Sequence, residues 1–279
     1  MDDTSTELMK PLAKRLGVEA DVLARLLVGI AEKVYDDAGA RPLRRVAEIL
    51  DDSLAFVGTL PKWARQRAEM TMADALARVP EERRTKAPLA LVGPCLEGSR
   101  YHDSGSPLYE MFAELLARAL DDVRQGEAHP AFPGIIAQLA PDEARIIDRT
   151  RLHPAISVHR MMHPDYDPSD KLEMATRSVV RPFQSHPHEY WGSDWYWENI
   201  DGINRADMMQ VYYEHLDKLG LVELPLSDES ARERAFTLEG RSEEPRTTRI
   251  YDTLYTLRLT NFGMLFVEAC IPEDNEWDW

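Results

Sequence analysis

Apolar residues recur through the first half of the chain at the spacing of one helical face. Val22, Leu23, Leu26, Leu27, Ile30 and Val34 predict a helix from about Val18 to Asp36, ended near Gly39. Pro42 stands where a first-turn proline belongs, and Leu43, Val46, Ile49, Leu50 and Val57 continue the period as a second helix. A third runs from about Pro61 to Val79 with Trp63, Met70, Ala73 and Leu76, and Pro80 must break it or start another turn. A short apolar helix follows at Pro88–Leu96. Ser106 then offers a hydroxyl cap and Pro107 a first helical residue. The helix they open carries Leu108, Met111, Phe112, Leu115, Leu116 and Ala119 on one face. Gly126 and Pro130 end it. After the apolar piece Phe132–Leu139, Pro141, Asp142 and Glu143 start another helix, with acids where the dipole favours them. The first half therefore reads as a bundle of about five helices.

After Arg151 the pattern changes. AISVHRMM (155–162) and EMATRSVVRPF (173–183) carry β-branched residues and read as strands or extended segments. The aromatic stretch SHPHEYWGSDWYWENIDG (185–202) reads as a loop. A helix returns from Asn204 to Leu219, with Met208, Val211, Tyr212, Leu216 and Leu219 on one side and Gly220 as its stop. Leu221–Leu224 is a short strand, a polar segment runs to Arg249, and IYDTLYTLRLT (250–260) alternates as a strand. Thr260 is the expected cap of a closing helix, NFGMLFVEAC (261–270). This order is that of a winged helix, with Asp142–Thr150 as its first helix and Val211–Leu219 as its third. The expected fold is mainly α with a small β component. It comprises a helical bundle over 1–130 and a winged-helix-like α+β half over 131–279. The second half would hold an inserted β/aromatic segment at about 153–200 and end in an acidic, Trp-containing tail.

Composition narrows this picture. Apolar content of 44% supports a packed core across 279 residues. The opening MDDTSTELMK shows no signal-peptide pattern, and no apolar run approaches the roughly 20 residues of a membrane span. Cys95 and Cys270 fit neither a disulfide framework nor a zinc spacing, so a cytoplasmic location is expected. Net charge is −16, and residues 131–279 hold 27 acids against 15 Lys/Arg, a balance of −12, while residues 1–130 hold 22 against 18, a balance of −4. That excess opposes phosphate backbones, which bind through Lys and Arg.

The run HPAFPGIIAQLAPDEARII (129–147), preceded by LYEMFAELLARALD and followed later by LDKLGLVEL and LRLTNFGMLF, resembles the Abi-alpha family. The resemblance covers most of residues 40–270, most densely 88–150. These are bacterial proteins linked to abortive infection against phage, of undefined biochemical activity. The resemblance implies a defence context and carries over no catalytic residue. Ala140 departs from the Ser expected before Pro-Asp, which removes a capping hydroxyl worth about 1 kcal/mol.

Candidate chemistry is sparse. No Gly-rich phosphate loop, nucleophile elbow or HExxH is present, so an enzyme is the less favoured reading and no cofactor is expected. Tyr190, Trp191, Trp195 and Trp197, with Trp277 and Trp279 of the tail, are candidates for a partner surface, because aromatics anchor interfaces. The competing reading packs several of them inside. Arg41, Arg44, Arg45, Arg241, Arg246 and Arg249 are the residues a nucleic-acid-binding regulator would use; the other reading is solvated faces, since acids interleave them. His159, His163, His186 and His188 offer imidazoles for a metal-dependent hydrolase, against turn-capping at X-His-Pro steps. The favoured function is a non-enzymatic component of an antiphage system that binds another protein, of the host's defence or of the phage. Nucleic acid is the alternative partner, no membrane is expected, and self-association stays open.

Overall fold

The computed structural model describes residues 10, 13–14, 20–34, 47, 49, 62–152, 156–162, 189–192, 195–198, 202–225, 232–238 and 246–272. The chain divides into two units, one of Met1–Pro141 with Glu268–Asn275 and one of Asp142–Val267 with Glu276–Trp279. Among the described residues the protein is mainly helical with a smaller β component.

In the first unit, α1 (Ala20–Val34) buries Leu23, Leu27, Ile30 and Ala31, the face its spacing predicts. The next helix, α2 (Lys62–Ala77), buries Ala64, Ala68, Met72, Ala75 and Leu76. With the buried Ala73, four alanines on that face let neighbouring backbones approach closely. α3 (Leu89–Ser99) turns Leu91, Val92, Cys95 and Leu96 inward, while Pro94 lies on its exposed side, where water can satisfy the carbonyl that proline cannot bond. Gly98 lets α3 meet α4 (Pro107–Ala119): a Cβ there would stand 2.3 Å from Phe112 Cζ. The short α5 (Phe132–Ile136) inserts Phe132, Ile135 and Ile136.

The centre of this unit is α4. Ser106 caps it, accepting from the Tyr109 backbone N–H at 3.3 Å, with Pro107 in its first turn. The sequence predicts one apolar face, but the helix is buried on every side from Pro107 to Leu120 except at Glu110. Its charges must therefore be paired inside the unit, since a buried lone charge costs several kcal/mol. Arg78 pairs with Glu110 and, at 3.1 Å, with Glu114. Arg118 pairs with Glu114 at 3.0 Å and Glu127 at 3.5 Å. Residues on the polar side of the pattern thus form an internal ion ladder.

The second unit begins with α6 (Pro141–Leu152, Pro141 counted with the first unit) and, among the described residues, holds a six-stranded sheet. Its strands are β1 (Ile156–Met162), β2 (Glu189–Gly192), β3 (Trp195–Glu198), β4 (Val222–Glu223), β5 (Arg232–Leu238) and β6 (Arg246–Leu259). They run in the order β2-β3-β1-β6-β4, with β5 also on β6, and every pairing is antiparallel. Ile156, Val158, Trp197 and Leu257 are buried, and register places Val158 opposite both Trp197 and Tyr255 and Ile156 opposite Leu257. Two expectations change here. The aromatic stretch read as a loop contains the β2–β3 pair, and the polar segment after Leu224 contains β5 and the start of β6. Both are held by backbone pairing that side-chain composition does not reveal. The second expected extended segment, 173–183, lies outside the described residues.

Helix α7 (Met209–Lys218) follows a 3-10 turn at Ala206–Met208 and ends before Gly220, whose φ of +73° is the left-handed stop its sequence predicts. The strand-to-helix step into α8 (Asn261–Cys270) closes on this stop. Thr260 Oγ1 donates to Gly220 O at 2.6 Å and accepts from the Gly263 N–H at 2.9 Å, while the Thr260 N–H donates to Leu221 O at 3.0 Å. Gly263 has no room for a side chain, because a Cβ would lie 1.9 Å from Leu221 O. The pieces Leu-Gly-Leu and Leu-Thr-Asn-Phe-Gly are two halves of one joint. Among the described residues no helix is long and apolar enough to cross a membrane.

Candidate functional site

The most elaborate polar arrangement of the second unit starts at Asp142 and Glu143, in the first turn of α6. Their place in the sequence suggests solvated acids at a helix N-terminus, yet they are 4% and 3% exposed. The Asp142 carboxylate accepts from the backbone N–H groups of Asn204 (3.2 Å) and Arg205 (2.9 Å) and from the Asn204 amide (3.2 Å). It also accepts from Arg145 (2.9 Å) and the Tyr212 hydroxyl (3.3 Å). Burial pushes this carboxyl up, but the backbone donors of Arg205 and Asn204, with Arg145 and the Asn204 amide, outweigh it and hold Asp142 below the ordinary value. Glu143 Oε1 lies 2.7 Å from Nδ1 of His215, an imidazole 34% exposed. Burial and then the Asp142 charge raise the Tyr212 hydroxyl. Together the two acids pin one side of α7 onto α6.

That pinning decides which side of α7 faces out. Met209 and Leu216 are buried; Asp207, Val211, Glu214, Asp217 and Lys218 are exposed. Asp207 pairs with Arg205 at 2.6 Å, and Gln210 donates to Glu214 at 3.1 Å. Tyr213 lies against Trp197, ring centroids 5.9 Å apart. Its hydroxyl is raised by burial first and then by the charges of Asp217 and Glu214.

The aromatic candidates separate accordingly. Trp197 is 1% exposed and packs the sheet onto α7, the packing alternative foreseen for part of the cluster. Tyr190 and Trp191 lie in β2 and Trp195 in β3, with Trp191 opposite Tyr196 and Trp195 opposite both Gly192 and Arg160. Trp277 and Trp279 lie outside the described residues. So do Arg41, Arg44, Arg45 and Arg241. Arg246 and Arg249 stand in β6, opposite Leu238 and Ala235, and not in the loop expected before it. His159 occupies β1 opposite Tyr196 and Leu254; His163, His186 and His188 lie outside the described residues. No group of three or more His, Cys, Asp or Glu side chains among the described residues is arranged to hold a metal ion. Sequence reasoning missed Glu143 and His215 as partners; a carboxylate and an imidazole seventy-two positions apart leave no local signal.

A family profile described as abortive infection alpha matches residues 62–270, from the first residue of α2 to the last of α8. The chain belongs to the abortive infection alpha family. No curated protein and no solved structure matches it. The match spans the ion ladder of α4, the Asp142–Glu143 cluster and the Thr260–Gly263 joint, so it takes in the fold-determining contacts of both units. The family name associates the abortive infection alpha chain with defence and assigns no reaction to any of these residues.

Proposed function

We propose that this protein is a non-enzymatic component of a bacterial antiphage system and that it acts by binding another protein. Family membership supports the defence context. The outward side of α7 carries the choice of partner. In a winged-helix-like half, a reading supported by the order α6, β1–β3, α7, β4–β6, α8, this is the helix that would enter a DNA groove. Base edges and phosphates call for Arg, Lys, Asn or Gln, whereas the positions available are Asp207, Gln210, Val211, Glu214, Asp217 and Lys218. The charge pattern therefore favours a protein surface. The non-enzymatic reading is supported by groups already committed to structure: Asp142 to five donors, Cys95 and Cys270 to the interior.

The test is phage plating on cells that carry the protein or an empty vector. Lower plating efficiency with the protein is the expected result, and equal plating across a broad phage panel overturns the defence reading. Gel shift with single- and double-stranded DNA and RNA at about 50 mM salt addresses the alternative: phosphate-driven binding would show there most strongly, and no shift is expected.

A further inference from the structure

We draw no further inference here: the strongest candidate, the exposed aromatic patch of Trp63 at the start of α2 and Tyr101 just after α3, carries nothing, because the Arg100 guanidinium set over both rings and paired with Glu97 already accounts for their placement and nothing among the described residues shows what covers them.

Discussion

Asp142→Ala is the sharpest perturbation of the second unit. The native carboxylate receives five hydrogen bonds, two of them from the backbone N–H groups of Asn204 and Arg205. A bond to a charged acceptor contributes about 1.5–3 kcal/mol, and alanine removes the acceptor from every donor at once. Asn204 and Arg205 are exposed, so water re-solvates part of what is lost. The expected cost is about 2–4 kcal/mol, with Asp142→Asn, which keeps one carbonyl oxygen, costing less. The effect depends on pH with a definite sign. Because the folded carboxyl titrates below the ordinary value of about 3.9, its stabilisation is complete above about pH 4 and is lost as pH falls through the folded value. The gap between wild type and Asp142→Ala should therefore narrow below about pH 4. Urea denaturation at pH 7 and pH 3.5 measures it, and hydrogen exchange over residues 203–219 localises it to the start of α7. A variant within about 0.5 kcal/mol of wild type, with unchanged exchange over that segment, refutes the reasoning.

Three further outcomes are expected. Gly263→Ala drives a Cβ to within 1.9 Å of the Leu221 carbonyl oxygen, and a backbone atom cannot swing away; a loss of about 3 kcal/mol in denaturant titration is expected, whereas Gly134→Ala, with nothing nearby, should be close to neutral. Trp197→Ala empties a site that is 1% exposed and packed at a tilt against Tyr213, so a loss of about 3–5 kcal/mol is expected in the same assay. Cys95 and Cys270 are fully buried and burial pushes both thiols up, so neither should react with a thiol reagent in the native protein, and both should react in denaturant.

The described helices were legible where their signals are local: periodic apolar residues and Ser106–Pro107 at a start in the first unit, Gly220 at a stop in the second. What escaped was set by distance. The polar side of α4 reads as solvent-facing, and only the fold shows that Arg78, more than thirty positions earlier, reaches Glu110 and Glu114. Strand β5, RERAFTL, has a composition that suits a loop, and its pairing with β6 makes it a strand. The tryptophans drew notice as an exposed loop because clustered aromatics read alike whether they pack or protrude; Trp197 packs. On α7 the sequence did show a helix poor in cations, which was already enough to turn attention from nucleic acid to protein.

The acids that pin α7 also impose an order on biosynthesis. Asp142 reaches the backbone of Asn204 across sixty-two positions. At ordinary translation rates roughly 3–12 s separate the synthesis of the two. Through that interval both acids have no α7 to bind and remain hydrated, whatever helix forms around them. The second unit is therefore assembled backwards along the chain, its first helix docked only when a late one emerges. A ribosome stalled shortly before Asn204 would carry a nascent chain able to complete the α4 ladder and unable to close the Asp142 cluster.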